Sequence, residues 1–192
     1  MVIGLYGKSG SGKTTACEYF LKNGFFIINA DKIGHEILKK GNKALSLVTK
    51  EFGIDYIDCS GELDRKKLGK LVFSDKNELE KLNKITKPII EEKIINLINK
   101  HENTVVDGAI LNNTKIIDYC DVTILIRSEN SQNRIIKRDA LSEKEAENRL
   151  NSQIISENAD IIIDNNGTIE EFYEKLKQAL KHGGSYGKKA FI

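Results

Sequence analysis

Five runs of β-branched and aliphatic residues punctuate the chain, at Val2–Tyr6, Phe25–Asn29, Thr104–Asp107, Val122–Ile126 and Ile161–Asp164. None alternates apolar with polar. Strands of a parallel sheet covered by helices read this way, because neither face meets water. The stretches between them carry helix signals. Thr15–Asn23 predicts a helix closed by Gly24, and Lys32–Lys40 another closed by Gly41. Ala44–Glu51 predicts a third, and Ile54–Ile57 stays ambiguous. Asp64 is placed to cap Arg65–Val72, and Ser74 to open a helix through Thr86. Pro88 then falls near the start of a further helix reaching about Lys100, where its missing N–H is no loss. Later, Ser131–Ala140 predicts a helix. Ser142 with Glu145 forms a capping box for a helix to about Ser156, and Thr168 with Glu171 one for a helix to about Lys181. Asn165-Asn166-Gly167 is a turn, and the tail after Lys181 is expected to be loose.

This order predicts an α/β fold of three α/β/α layers around about five parallel strands. Composition agrees with a single domain over 1–192: the chain has 192 residues, of which 40% are hydrophobic, enough for a core. Thirty Lys and Arg stand against 28 Asp and Glu, a net charge of +2 that gives no reason to expect nucleic acid as a partner. The three cysteines, Cys17, Cys59 and Cys120, lie far apart in no ligand spacing, so zinc is unsupported and a reducing compartment is implied. The first strand begins at residue 2 and no long apolar run follows. We therefore expect a cytoplasmic protein with no membrane partner. With no heptad pattern, a monomer is the expectation.

The chemistry starts where the first strand ends. Gly7-Lys8-Ser9-Gly10-Ser11-Gly12-Lys13-Thr14 matches G-x-x-x-x-G-K-[ST] at every fixed position, between a strand and a helix. Glycines there let backbone amides converge on phosphate, and the helix N-terminus adds free N–H groups and a positive dipole end. The pattern predicts nucleotide binding by a phosphate loop, Gly7 to Thr15. Lys13 is expected to reach the β- and γ-phosphates of ATP and Thr14 Oγ1 to sit on Mg²⁺.

A phosphate loop does not by itself choose between a kinase, a GTPase and a motor-type ATPase. Asp31 follows the second run, at the edge where open α/β sheets bind ligands. It can orient or deprotonate an acceptor hydroxyl, help hold Mg²⁺, or simply cap the next helix. Asp107 ends the third run in the manner of a magnesium-holding carboxylate, or of one that binds amides in the next turn. Arg134 and Arg138 stand four apart on one helix, a spacing that suits a lid closing on phosphates or salt bridges to Glu143, Glu145 or Glu147. His35, one turn beyond Asp31, is a candidate substrate contact. No N-K-x-D element for reading guanine follows any strand, and the helices between 32 and 100 outnumber what one crossover needs. A small-molecule kinase fits best, with 1–31 and 101–182 as nucleotide-binding core, 32–100 as helical substrate-binding region, 128–157 containing a lid, and 183–192 a flexible tail.

These residues together resemble the dephospho-coenzyme A kinase family. The resemblance spans roughly 2–180. It rests on GKSGSGKTT at 7–15, INAD at 28–31, LNKITKP at 82–88, VVDGAIL at 105–111, RIIKRD at 134–139, RLNSQ at 149–153 and ADIIIDNNG at 159–167. It implies a phosphate-loop kinase fold and transfer of the ATP γ-phosphoryl to the ribose 3′-hydroxyl of dephospho-coenzyme A. On this likeness Asp31 activates the acceptor, Lys13 and Thr14 serve phosphate and Mg²⁺, Arg138 is the lid arginine on ATP, and Asn165 and Gly167 lie near adenine. The chain departs from the family pattern at Asn29, usually aspartate, and at Lys87-Pro88, usually His-Pro, where Lys87 keeps a positive charge for a substrate phosphate. It departs again at Ala109-Ile110-Leu111-Asn112-Asn113, where the usual proline and glutamate are absent.

Overall fold

The computed structural model describes residues 1–108, 111, 114–153, 155–182 and 190–191. The chain divides into two compact units: Met1–Asn29 with Leu97–Ile192, and Ala30–Asn96.

The first unit is built on a sheet whose strands are β1 (Val2–Tyr6), β2 (Phe26–Asn29), β3 (Thr104–Asp107), β4 (Val122–Arg127), β5 (Ile161–Asp164) and β6 (Ala190–Phe191). Their spatial order is β2-β3-β1-β4-β5-β6, and every pairing is parallel. The chain folds outward in both directions from β1, so the segment leaving β1 emerges at the point where strand order reverses. Open α/β sheets leave a crevice there. The two residues of β6 come from the tail that was expected to be loose. The rest of that tail, 183–189 and 192, lies outside the described residues.

Why the strand runs lack alternation is now visible. On one face Ile3, Leu5, Val105, Val122, Ile124, Ile126, Ile161 and Ile163 form a single core with Ala16 and Phe20 of α1 (Lys13–Lys22). Phe172, Leu176 and Ala179, from the last helix (Ile169–His182), complete it. The intervening positions Tyr6, Val106, Leu125 and Ile162 are buried too, so both faces are apolar. Phe20 and Phe172 alone each contribute about 1.5–3 kcal/mol through area removed from water.

The second unit is helical: α2 (Ala30–Ile37), α3 (Lys43–Phe52), a 3₁₀ turn at Ile54–Tyr56, α4 (Arg65–Ser74) and most of α5 (Lys76–Ile98). Asp64 caps α4 as expected, its carboxylate accepting from Lys67 N at 3.0 Å. Two expectations fail around α5. The cap is Asp75, whose Oδ1 accepts from Asn77 N at 2.8 Å, and not Ser74. The two helices predicted there are one, with Pro88 inside it. Proline in a helix interior forfeits a hydrogen bond at a cost of about 3 kcal/mol. Here it sits on the exposed side while Thr86 and Ile94 of the same helix are buried, so packing holds the helix through it.

Returning to the first unit, α6 (Ser131–Asp139) and α7 (Glu143–Asn151) follow β4. The Ser142–Glu145 capping box is present, but α7 stops well before Ser156. The last helix, α8 (Ile169–His182), opens on the Thr168–Glu171 box: Thr168 N donates to Glu171 Oε2 and Glu171 N to Thr168 Oγ1.

Candidate active site

Gly7 to Gly12 forms the turn between β1 and α1, with α1 beginning at Lys13. Two of its glycines are required for separate reasons. Gly10 (φ 79°) and Gly12 (φ 113°) occupy the left-handed region that side chains disfavour. A methyl group on Gly10 would also strike the Ser131 carbonyl oxygen, and one on Gly12 the Asn165 amide nitrogen. Lys13 folds back over the turn, its Nζ donating to Gly7 O at 2.7 Å and Lys8 O at 3.2 Å. The ammonium is therefore held against the carbonyls at the start of the turn. Ser11 is 1% exposed, and its Oγ has no hydrogen-bond partner among the described residues. A buried hydroxyl of this kind suits an arriving anionic acceptor.

Three side chains from distant parts of the sequence grip this turn. Arg134, on α6, donates to Gly10 O at 3.4 Å, Ser11 O at 3.5 Å and Asn165 O at 3.2 Å. Asn165, buried just past β5, donates through Nδ2 to Ser11 O at 2.8 Å. Gln153, just past α7, makes a reciprocal pair with Ser9. Ser9 N donates to Gln153 Oε1 at 2.8 Å, and Gln153 Nε2 donates to Ser9 Oγ at 2.9 Å. Beside the turn lies a cavity of about 300 Å³, bordered by Lys8, Ser11, Arg127, Ser128, Leu150 and Glu157. The turn thus has a half-open cleft on one flank.

The strand ends supply the nearby charges. Asn29 and Asp107 are opposite in the β2–β3 register, and Asn29 Nδ2 donates to Asp107 Oδ2 at 3.0 Å. Burial first, then the Asp107 carboxylate, pushes the Cys17 thiol up to about 12, with Lys13 acting the other way. Asp107 and Lys13 therefore both act on the first turns of α1, where Thr14 is exposed and Thr15 half-buried. Arg127 pairs with Asp164 through two bonds of 2.8 and 3.0 Å, and these raise its pKa further.

These features suit phosphate. A family model for dephospho-CoA kinase matches residues 1–171. The chain belongs to the dephospho-CoA kinase family. It is 34% identical to a dephospho-CoA kinase of Lactobacillus acidophilus, with 93% of this chain and 95% of that one covered. With that of Fusobacterium nucleatum it shares 35%, covering 93% and 96%. Among solved structures, the dephospho-CoA kinase from Campylobacter jejuni superposes with a TM-score of 0.62 at 29% identity, over 94% of this chain and 96% of that one. A shikimate kinase from Bacteroides thetaiotaomicron, 13% identical with a TM-score of 0.55 over 94% and 98% of the chains, shares the fold alone. The architecture is that of the phosphate-loop kinases.

For a dephospho-CoA kinase family member, the residues singled out in the sequence fall into three groups. Gly7 to Thr14, Arg134, Asn165 and Asp107 lie in the first unit, where Arg134 and Asn165 directly hold the loop. Gly167 follows Asn165 in the exposed turn after β5. Arg138, expected on phosphate, places its fork on Asp139 at 2.7 and 2.8 Å. Arg149 joins the same carboxylate at 2.7 Å. The hydrogen bonds of Arg138, then its charge and that of Arg149, lower the Asp139 pKa to about 2. Asp31, His35 and Lys87 belong to the helical unit. Asp31 is exposed in the first turn of α2, and His35, one turn later, is exposed with its carbonyl oxygen accepting from Arg65 at 2.6 Å. Lys87 is half-buried on α5. The departure at Ala109, Ile110, Asn112 and Asn113 lies outside the described residues.

Sequence reasoning gave Gln153 no role. It was visible only as the last letter of R-x-x-x-Q, inside a helix expected to continue to Ser156; the early end of α7 is what frees its side chain for Ser9. No helix among the described residues is long and apolar enough to cross a membrane. Among the same residues no group of three or more His, Cys, Asp or Glu side chains is placed to hold a metal ion.

Proposed function

We propose that this chain, an ATP-dependent kinase of the dephospho-CoA kinase family, transfers the γ-phosphoryl of ATP to the ribose 3′-hydroxyl of dephospho-CoA, giving CoA and ADP. The observation that carries the ATP half is the loop of residues 7–14, with its left-handed glycines, its buried Ser11 hydroxyl and Lys13 held over its carbonyls. The acceptor half rests on family membership.

In this reading Lys13 leaves Gly7 O and Lys8 O for the β- and γ-phosphates, exchanging neutral acceptors for charged ones. The amides of Gly7 to Thr15 surround the phosphates. Asp31 takes the proton of the 3′-hydroxyl as that oxygen bonds to the γ-phosphorus. The bond from phosphorus to the β–γ bridging oxygen breaks, and ADP carries away the electron pair. Exposure of Asp31 in the first turn of α2, just after β2, supports an accessible base. Arg138 swaps Asp139 for the phosphates as 128–157 closes as a lid, and Arg134 adds charge from the loop's other side. Asn165 and Gly167 face adenine, while His35 and Lys87 contact the acceptor.

Thr14, Asp31 and Asp107 offer hydroxyl and carboxylate oxygens, the donors that Mg²⁺ takes. A site with few protein ligands fits an ion held largely by water and substrate phosphates. When bound, Mg²⁺ would neutralise charge on the β- and γ-phosphates. The protein acts as a monomer in the cytoplasm. The test is ADP release with ATP and Mg²⁺ against dephospho-CoA, nucleosides and nucleoside monophosphates. Dephospho-CoA should be preferred by orders of magnitude, and turnover of another acceptor at a higher rate would overturn the assignment.

A further inference from the structure

Gln153 occupies a donor that an anion-binding loop would give to its ligand. Among the described residues, the other side chains seen to hold the turn do so through its carbonyl oxygens: Arg134 on Gly10 and Ser11, Asn165 on Ser11, Lys13 on Gly7 and Lys8. Those bonds spare the amides, of which Ser11 N donates within the turn to Lys8 O at 3.2 Å. Gln153 alone among these residues accepts from a loop amide, that of Ser9, while its own amide nitrogen donates to the Ser9 hydroxyl. The side-chain carbonyl of a glutamine is a neutral acceptor. A phosphate oxygen is a charged one, and forms a hydrogen bond roughly twice as strong.

We propose that Gln153 is a positioning residue that latches the empty phosphate loop. Its carboxamide satisfies the Ser9 amide until a triphosphate displaces it, which couples nucleotide arrival to release of the helices behind it. The mechanical link is continuous within one unit. Gln153 follows directly on α7, Arg149 of α7 bonds to Asp139 at the end of α6, and Arg138 beside it shares that carboxylate. Displacing Gln153 therefore loosens the end of α7 held through Arg149 to the carboxylate that also occupies Arg138. The latch rests on the ATP reading of the loop, but its sign is its own. A residue that merely stiffened the loop would strengthen nucleotide binding, whereas a competitor for Ser9 N–H weakens it.

The experiment is calorimetric titration of the purified full chain with ADP and with a non-hydrolysable ATP analogue, both with Mg²⁺. For Gln153→Ala the Kd should fall about 3- to 10-fold, the range that loss of one or two modest hydrogen bonds to a competitor implies. For Gln153→Glu it should rise at least about 10-fold, because a carboxylate binds Ser9 N–H more strongly and repels the triphosphate. Ser9→Ala, which removes only the hydroxyl half of the pair, should lower the Kd less than Gln153→Ala. Hydrogen exchange of the 7–12 segment without nucleotide should quicken in Gln153→Ala while the urea midpoint stays near that of the parent. Unchanged or weaker nucleotide binding by a folded Gln153→Ala protein, or unchanged exchange at Ser9, would overturn the latch. Failure of the parent chain to bind either nucleotide would overturn the functional reading itself.

Discussion

The phosphate loop of the sheet unit and two turns of the helical unit use glycine for different ends. In the sheet unit, Gly10 and Gly12 are pressed against atoms far away in sequence, from Ser131 and Asn165. In the helical unit, Gly41 and Gly53 have equally positive φ values, 87° and 95°, yet a methyl group on either would meet nothing within 4 Å. There glycine only lets the chain turn, Gly53 directly after α3 and Gly41 four residues beyond the end of α2, which stops at Ile37 and not at the expected Lys40. The same contrast runs through the hydrogen bonds. Asp58 and Asp64 of the helical unit bond residues within four positions of themselves. The phosphate loop is held by residues more than a hundred positions away. The helical unit mixes its short ties with longer ones, Arg65 to His35 O and Lys93 to Glu36, and leaves Asp31 and His35 exposed. The other fixes a backbone in place, as binding a phosphate with amides requires.

The sharpest way to break this comparison is through Lys13, whose ammonium lies on the fixed backbone. Lys13→Ala should lower kcat/KM by about 10³-fold or more whatever the acceptor, since it removes charge from the transferring group. Asp31→Asn, on the helical unit, should lower kcat by about 10²-fold or more with nucleotide Kd little changed. Steady-state assays and titration on both variants separate the two. If Asp31→Asn weakened ATP binding as much as Lys13→Ala, the division of labour between the units would fall.

A smaller effect sharpens the contrast between glycines. Gly12→Ala combines a left-handed backbone with a collision against Asn165, so it should cost about 3 kcal/mol or more in urea unfolding. Gly41→Ala meets only the backbone term, about 1–2 kcal/mol. Equal losses would mean that the packing around Gly12 yields.

The smallest effect is chemical. Burial pushes the Cys17 and Cys120 thiols of the sheet unit up to about 12, while Cys59 of the helical unit is exposed. A raised pKa leaves a thiol protonated below it, and only the thiolate is alkylated. At a pH of about 8 the folded protein should therefore take up one alkyl group quickly, at Cys59, and the other two only on unfolding. Mass spectrometry reads the count directly.

Much of this molecule is local in origin and was legible. Four of the apolar runs became β1, β3, β4 and β5 because burial on both faces leaves a signature in single strands; the run that became β2 is apolar although Phe26 is exposed at the sheet edge. Asp64, Ser142 and Thr168 mark helix starts because a cap bonds within three residues. Gly7 to Thr14 announced a phosphate loop because its geometry demands glycine whatever surrounds it. Pro88 misled because its local penalty was outweighed by burial of the helix around it. The end of α7, the two residues of β6, and the choice of Arg134 rather than Arg138 to hold the loop depend on which surfaces meet after folding. By itself the sequence marked five of the strands, several helix starts and the glycine-rich loop, since those depend on neighbours along the chain. Tertiary structure decided what grips that site, because Gln153 meets Ser9, and Asn165 meets Ser11, across separations that no local pattern encodes.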